Sequence, residues 1–293
     1  LINTSKHIAL QKALGFDTPQ YGHLPIIFNM DGSKMSKRDK EKAAKQGLEP
    51  PEIDVHDFRA AGYLPEALLN FISLIGWSPG GDREHMTLEE TVGLFGIDRI
   101  GTGNGKFDRD KLLSFNTDWV SKVDDGRLLA ALKDFSAVSA SPLKAADDGT
   151  LGRLLRVNAG FRTFRDVEKK SSFLFVDDEQ IVYAPKAVKK VLNKNDGAGY
   201  AMLGELVEKL PTIPDWDVAS IERFLTELCE AKGVGLGTVA QPLRVAVTGT
   251  LHELRHPRED RWRIALGGGR LADGQRDLAL RLGVARERVH EQQ

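Results

Sequence analysis

Residues 64–75 read LPEALLNFISLI, and this stretch sets the expectation for the fold. Apolar side chains recur at Leu64, Leu68, Phe71 and Ile75, the i, i+4, i+7 and i+11 positions that lie along one face of an α-helix. The proline in second place suits the first helical turn, and Gly76 suits the end of the helix. The pattern therefore predicts an amphipathic helix with one buried face.

Helical patterning continues over most of the sequence from about residue 60 to residue 250. A second helix is predicted from Ser220 to Lys232, with Gly233 ending it, and a third is predicted after Pro185. Residues 243–247 favour a strand by β-branching alone, but helical surroundings would override that preference, and we expect a helix there. These patterns indicate a mostly α protein.

The composition is that of a soluble globular protein. The 293 residues are 41% hydrophobic and 28% charged, enough for one large or two ordinary domains. No apolar run approaches the ~18–20 residues that a membrane span needs, so we expect no membrane partner. Cys229 is the one cysteine, which excludes a disulfide framework and suits a reducing compartment, and we expect a cytoplasmic location. Because the net charge is -1, any contact with nucleic acid must be local.

Residues 31–39 read DGSKMSKRD and are the most informative stretch for function. Lys34 and Lys37 flank the small hydroxyl residue Ser36 after a glycine turn, which places two ammonium groups on a flexible loop. Such a loop can close over a polyphosphate, because its charges stabilise phosphate oxygens in the transition state. The alternative is a solvated basic surface loop, since exposed lysines mostly contribute little.

Two further patterns are weaker. Residues 101–106, GTGNGK, look like a phosphate-binding loop but fail its spacing, and Phe107 stands where Ser or Thr is required. We interpret this stretch as an ordinary loop. His252 and His256 are four residues apart, yet no third ligand of suitable type is evident, so no metal site is predicted.

The five residues from Lys34 to Arg38 closely resemble the second ATP motif of class I aminoacyl-tRNA synthetases, and the arginine in fifth place is similar to the glutamyl branch. Other segments resemble the same family in the same order: 1–8, 13–16, 23–27, 64–78, Phe107-Asp108 with Lys111-Leu112 and Asn116, and 241–249. Together they cover about residues 1–250. The resemblance implies the end of a Rossmann-type α/β catalytic domain, then a stem-contact region and an all-helical anticodon-binding domain.

The implied domain boundaries divide the chain into four zones. Residues 1–45 would be the C-terminal end of the catalytic domain, 46–120 the stem-contact and connecting region, and 121–250 the anticodon-binding domain. Residues 251–293 form an atypical tail with nine arginines and no lysine, whereas residues 1–250 hold twenty lysines and twelve arginines. We hypothesise a frameshift near Thr250, and a divergent RNA-binding extension is the alternative.

The resemblance also implies roles for individual residues. Lys37 would bind the ATP phosphates and stabilise charge on the departing pyrophosphate, with Lys34 and Ser36 shaping the loop and assisting catalysis. Met35 belongs to the same ATP-binding set. Ile27 matches a position whose backbone touches adenine, and the alternative for it is an ordinary buried strand residue. Mg²⁺ would accompany ATP.

An arginine-rich stretch at residues 153–165 is the candidate for RNA contact, because arginines pair with phosphates or base edges. Phe161 and Phe164 lie between the arginines and could stack on unpaired bases. The alternative is a helix with both phenylalanines buried and a solvated arginine face. The predicted tRNA-binding residues are Arg156, Arg162, Arg165 and Arg244, the last of which is either structural or RNA-facing.

The sequence is therefore interpreted as an incomplete glutamate–tRNA ligase of the bacterial type, with ATP, L-glutamate and tRNA-Glu as partners and a monomeric state. The family's first ATP motif, His-Ile-Gly-His, does not occur in these 293 residues, so we expect this chain alone to be inactive. The alternative is a non-catalytic tRNA-binding protein that kept the helical half. A shortened paralogue that glutamylates a base within tRNA lacks the helical anticodon part, and the roughly 170 residues of family-like sequence after residue 80 argue against it.

Overall fold

The computed structural model describes residues 3–177, 180–215 and 217–250, and these residues are mainly helical, as predicted. The chain divides into two compact units. The first comprises Leu1–Arg59 and Tyr63–Trp119, and the second comprises Ala60–Gly62 and the chain from Val120 onward. In the described part of the chain, no helix is both long and apolar enough to cross a bilayer.

The first unit combines short helices with a small sheet. Its helices are α1 (Thr4–Ala13), α2 (Arg38–Lys45), α3 (Val55–Ala61), α4 (Pro65–Ser73), α5 (Leu88–Leu94) and α6 (Arg109–Lys122), of which α3 and α6 run past its boundary. Its strands are β1 (Ile27–Asn29) and β2 (Gly105–Phe107), and a 3₁₀ turn covers Ile97–Arg99. The strands are parallel, with Ile27 opposite Gly105 and Asn29 opposite Phe107.

Helix α4 confirms the prediction made from its apolar pattern. Its first residue is Pro65, and Gly76 adopts a φ of +87° just beyond its end. Leu68 and Phe71 are buried in a core shared with α3, β2 and α6, which consists of Phe58, Leu68, Phe71, Phe107, Leu112 and Phe115. Edge-to-face packing of Phe71 on Phe107, with ring centroids 5.0 Å apart, adds to the area that these side chains bury.

Strand β2 corrects the interpretation of residues 101–106 as a loop. Gly105 and Lys106 are extended and pair with β1. The glycine permits this, because a Cβ at position 105 would lie only 2.4 Å from Cγ2 of Ile75. Burial of Phe107, which is 5% exposed, then holds the end of the strand in the core.

The second unit is helical throughout its described part. It contains α7 (Asp125–Val138), α8 (Asp148–Val157), α9 (Phe164–Ser171), α10 (Pro185–Ala187), α11 (Lys194–Lys209), α12 (Val218–Lys232) and α13 (Leu236–Thr248). Between them lie 3₁₀ turns at Pro142–Ala145, Ser172–Phe175 and Leu210–Thr212 and a π-helical turn at Val188–Leu192. Asp124, Asp147 and Asp217 cap α7, α8 and α12 by accepting backbone N–H groups of the first turn.

Two predicted helices of this unit are confirmed. Helix α12 ends at Gly233, which has a φ of +63°. Helix α13 includes residues 243–247, where Leu243 and Val245 are fully buried and Val247 is 2% exposed. Burial in a helical core therefore overrides the strand preference of the β-branched residues.

Candidate functional site

The basic loop begins with a tight turn after β1. The N–H of Asn29 donates to the carbonyl of Ser33 at 2.8 Å, and the N–H of Gly32 donates to the carbonyl of Asn29 at 3.0 Å. Gly32 has a φ of +82°, which glycine adopts readily. The side chain and the backbone N–H of Ser33 both bond to Asp31 and lower its pKa. The turn sets Lys34 in an antiparallel bridge with β1, with its side chain exposed.

Met35 anchors the middle of the loop. Its N–H donates to the carbonyl of Ile27 at 3.3 Å, and its half-buried side chain packs against the core of the first unit. Lys34 and Lys37, on either side of Met35, therefore extend from a backbone that is attached to the sheet and to the core.

Asp39, in the first turn of α2, holds the next part of the loop. Its Oδ2 accepts the N–H of Ser36 at 3.0 Å and the Nδ2 group of Asn29 at 3.2 Å. Its Oδ1 accepts from Lys42 at 3.1 Å and lies 3.5 Å from Oγ of Ser36. The Ser36 N–H, the Lys42 ammonium and the Asn29 amide lower the pKa of Asp39. The carboxylate thus connects the loop, α2 and β1.

Lys37 lies directly before α2 and forms an exposed ion pair. Its side chain is 79% exposed, and its Nζ is 3.1 Å from Oδ1 of Asp54. The other oxygen of Asp54 is 3.2 Å from Nζ of Lys40. The two ammonium groups, that of Lys37 first, lower the pKa of Asp54. Exposed pairs of this kind contribute little to stability, so Lys37 can exchange Asp54 for another anion at small cost.

Asp57 fixes the other end of this charge cluster. Its Oδ2 accepts the N–H groups of Ile53 at 2.9 Å and Asp54 at 2.8 Å, and it is 2.5 Å from Nζ of Lys40. Burial alone would raise the pKa of Asp57, but the Lys40 ammonium and the two N–H groups outweigh that effect and lower it to about 2. Asp57 in turn raises the pKa of Lys40.

The loop as a whole is suited to bind a polyphosphate. Lys34, Lys37 and Arg38 are exposed within five residues, at the N-terminal end of the eight-residue helix α2. Flexible ammonium groups and a helix N-terminus both favour negative charge. Ile27 lies in β1, as one of the two interpretations held, but it is 37% exposed rather than buried.

The phenylalanines of the arginine-rich stretch are core residues. Phe161 and Phe164 are 2% and 1% exposed, and their ring centroids are 5.3 Å apart. The ring centroid of Phe164 is also 6.2 Å from that of Phe135. The prediction that these rings stack on RNA bases is therefore wrong, and the alternative prediction, that both phenylalanines are buried, is correct. An alternating arginine and phenylalanine pattern places the apolar rings inside because their burial stabilises the fold.

Two of the predicted RNA-binding arginines have exposed side chains. Arg156 is exposed in the last turn of α8. Arg162 precedes Thr163, the N-cap of α9, and its N–H donates to Oδ2 of Asp166 at 3.1 Å. This bond and the capping box of Thr163 with Asp166 fix the backbone that carries Arg162.

The other two arginines are more enclosed. Nη2 of Arg165 donates to the carbonyl of Ala60 at 2.6 Å, and Nη1 lies 3.4 Å from Oε2 of Glu168. The guanidinium carbon also stands 5.7 Å from the ring centroid of Phe135. Arg165 is thus engaged in contacts within the second unit, and Arg244 is half-buried on α13.

Sequence reasoning missed the carboxylates that organise the loop. The contact of Asp39 could have been predicted from the sequence, since Ser36 and Asp39 have the Ser-x-x-Asp spacing of a capping box. Asp54 and Asp57 have no such signal, because they meet Lys40 only in the folded chain. The paired histidines of the arginine-rich tail, and the tail itself, lie outside the described residues.

Comparison with protein families identifies the class. The family model described as the catalytic domain of class I tRNA synthetases (E and Q) matches residues 1–114, and the anticodon binding domain model matches residues 126–252. The basic loop lies within the first match and the four arginines within the second. The fold and the loop are therefore those of a class I aminoacyl-tRNA synthetase of the glutamate and glutamine group.

Individual relatives narrow the class further. Glutamate–tRNA ligase 1 of Syntrophus aciditrophicus is 36% identical over 248 residues, which are 84% of this chain and 48% of that protein. Glutamate–tRNA ligase 1 of Gluconacetobacter diazotrophicus is 34% identical over 257 residues, 85% of this chain and 50% of that protein. The chain belongs to the glutamyl-tRNA synthetase family, and it spans about half the length of the curated relatives it matches.

Solved structures agree with this assignment. The glutamate-tRNA synthetase of Elizabethkingia anophelis is 25% identical, with a TM-score of 0.64 over 97% of this chain and 54% of that chain. A glutamate tRNA ligase of Elizabethkingia meningosepticum, crystallised with its amino acid, has the same fold, with a TM-score of 0.66 at 24% identity over 97% of this chain and 55% of that one.

Proposed function

We propose that the chain is part of a glutamate–tRNA ligase, which converts glutamate and ATP to glutamyl-adenylate and transfers the glutamyl group to the 3′ end of tRNA-Glu. The observation that carries the proposal is the loop from Lys34 to Arg38, whose exposed cations extend from a backbone held by Met35 and Asp39. The names of the relatives support the amino acid and the tRNA.

The domain roles are part of this proposal. Residues 1–45 supply the end of the catalytic domain, 46–120 the stem-contact region and 121–250 the anticodon-binding domain, with 251–293 as an atypical tail. The break between the two family matches, after residue 114 and before residue 126, supports a functional boundary near residue 120. We propose that the complete protein is a cytoplasmic monomer.

Lys37 is the principal catalytic residue of the loop. When a carboxylate oxygen of glutamate bonds to the α-phosphorus of ATP, the bond to the bridging oxygen breaks and its electron pair leaves with pyrophosphate. The ammonium of Lys37, released from Asp54, stabilises that charge. Lys34 and Ser36 assist at the phosphates, while Met35 positions both lysines and the backbone of Ile27 contacts adenine.

Magnesium enters with ATP as the counter-ion of its phosphates. The exposed side chains of residues 34–38 are cations, whereas Mg²⁺ prefers oxygen ligands. The carboxylate of Asp31, in the turn before them, accepts the N–H of Ser33. The carboxylate of Asp39 is occupied by Ser36, Asn29 and Lys42. The loop therefore fits the phosphates and not the metal itself.

The arginines of the second unit are proposed to bind tRNA. Arg156 and Arg162 have exposed guanidinium groups that can pair with phosphates or base edges. Arg165 and Arg244 belong to the same proposed set, and the contacts of Arg165 with Ala60 favour a role in which it also positions the backbone.

The mechanism is tested by ATP–pyrophosphate exchange in the protein encoded by the complete reading frame, with glutamate and tRNA present. Lys37→Ala is expected to lower exchange by at least ~100-fold, the scale for loss of a preorganised charge. Lys45→Ala removes the same charge from the last turn of α2 and is the matched control. Unchanged exchange in Lys37→Ala would remove Lys37 from the mechanism.

A non-catalytic tRNA-binding protein is the second candidate, because the anticodon binding domain model alone matches residues 126–252. Sequencing the DNA on both sides of this coding region distinguishes the two candidate functions. An upstream, in-frame half with that motif supports the ligase. A product that binds tRNA but shows no exchange supports the second candidate.

A further inference from the structure

A lysine surface lies on the second unit, formed by the exposed side chains of Lys186, Lys189, Lys190 and Lys194. No aspartate or glutamate occurs from residue 180 to residue 195. Among the described residues, none of the four ammonium groups takes part in an ion pair. Although Asp177 and Asp196 lie just outside this segment, the surface concentrates four positive charges that form no ion pair with another described residue, in a chain whose net charge is -1.

The backbone beneath the lysine surface is fixed by its other side. Ala187, Val191 and Leu192 are 1%, 9% and 0% exposed and belong to the core of the second unit. Gly199 on α11 lies so close that a Cβ there would stand 2.4 Å from the carbonyl oxygen of Val191. The lysines thus extend from a rigid support, which reduces the conformational freedom lost on binding.

The local backbone is unusual as well. Val188–Leu192 is a π-helical turn, a feature often found at functional sites. The three residues after Lys194 all have left-handed backbones: Asn195 (φ 50°), Asp196 (φ 56°) and Gly197 (φ 82°). Left-handed non-glycine residues are energetically unfavourable and persist where the surrounding structure requires them. This turn separates Lys194 from the regular part of α11.

We propose that the lysine surface binds the phosphate backbone of tRNA without regard to sequence. The inference rests on the proposed function, in which tRNA is a substrate. Ammonium groups act as point charges and suit phosphates, whereas the reading of bases uses the planar fork of arginine. Since bulk charge gives the chain no attraction for RNA, a local surface must provide it.

A matched pair of double variants tests the surface. Lys189→Gln with Lys190→Gln removes two charges of the lysine surface. Lys209→Gln with Lys232→Gln removes two charges of the same unit that share the carboxylate of Glu205, at 2.7 and 2.6 Å. All three chains, the unaltered one included, are used at full length, and thermal unfolding followed by circular dichroism verifies that each is folded.

The readout is the affinity for a tRNA-Glu transcript at several salt concentrations. Each lost phosphate contact lowers the slope of log K against log salt by about 0.7–0.9. The Lys189 and Lys190 variant is therefore expected to lose about 1.5 units of slope and, because the electrostatic contribution vanishes near 1 M salt, to bind about 30-fold more weakly at ~0.1 M salt. The Lys209 and Lys232 control is expected to keep the slope of the unaltered chain.

The possible failures are distinct. If the unaltered chain binds the transcript and both double variants bind it with the same affinity as the unaltered chain, the proposal for the lysine surface is overturned while the proposed function stands. An equal loss in both variants also overturns it, because the effect would then follow total charge. Absence of binding by the unaltered chain at low salt overturns the tRNA substrate and this inference together.

Discussion

Replacement of Asp57 by asparagine is expected to weaken the segment beneath the basic loop. Asparagine keeps a side-chain oxygen that can accept the N–H groups of Ile53 and Asp54, but it loses the negative charge that faces Lys40. The variant therefore isolates the contribution of charge from that of the hydrogen-bonded turn.

The magnitude follows from the pKa of Asp57. The folded structure lowers this pKa from 3.8 to about 2, and one pKa unit corresponds to about 1.4 kcal/mol. The side chain is 24% exposed, so solvent screens the interaction only in part. The charge of Asp57 thus stabilises the folded state by about 2 kcal/mol at neutral pH.

The sign of the pH dependence is also determined. Because the folded pKa is the lower one, the stabilisation is complete above pH 3.8 and is lost as the pH falls through about 2. At pH 3 only about half of it remains by the same linkage relation. The difference between the unaltered chain and Asp57→Asn is therefore expected to shrink by about 1 kcal/mol between pH 7 and pH 3.

Amide hydrogen exchange measures this locally, because the N–H groups of Ile53 and Asp54 bond directly to Asp57. At pH 7 they are expected to exchange roughly 30-fold faster in Asp57→Asn, the equivalent of about 2 kcal/mol. Asp17→Asn makes the same chemical change at an exposed position and serves as the control. Equal protection in both variants, or a difference that does not shrink at pH 3, would refute the reasoning.

Three further outcomes concern buried groups. Gly249→Ala is expected to cost about 2 kcal/mol or more in urea unfolding, because φ is +71° and a Cβ would lie 2.2 Å from the carbonyl oxygen of Val182. Asn116→Leu deprives the N–H of Leu64 of its acceptor and should lower the free energy of unfolding by about 1–3 kcal/mol in the same assay. An unchanged urea midpoint in either variant would contradict the expectation for that variant. Burial raises the pKa of the Cys229 thiol, so maleimide should label it slowly until the chain unfolds, and rapid native labelling would count against this.

Most of the helices could be predicted from local sequence patterns. Helix α4 was predictable because its apolar spacing, Pro65 and Gly76 all lie within thirteen residues. Strand β2 was not, since the reason for Gly105 is its contact with Ile75, thirty residues earlier. Residues 243–247 required knowledge of their helical surroundings, because β-branching alone indicates a strand.

Of the candidate site, the sequence allowed the exposed lysines to be predicted but not the carboxylates that contact them. The lysines were found because their spacing resembles a known motif, whereas the pairing of Lys37 with Asp54 depends on how residues 37 to 54 fold back. Phe161 and Phe164 were undecided for a different reason. Aromatic residues between arginines suit both RNA stacking and a buried core, and only their 1–2% exposure separates the two.

The sharing of Asp54 by two lysines has a consequence for loop motion. In the proposed mechanism Lys37 would leave Asp54 for a phosphate, and Lys40, which is paired with Asp57, is the second cation on the Asp54 carboxylate. Loss of the Lys37 contact alone would therefore not leave Asp54 without a cationic partner. Lys40 would act as an electrostatic buffer, so that the movement of Lys37 exchanges one anionic partner for another without leaving an unpaired carboxylate behind it.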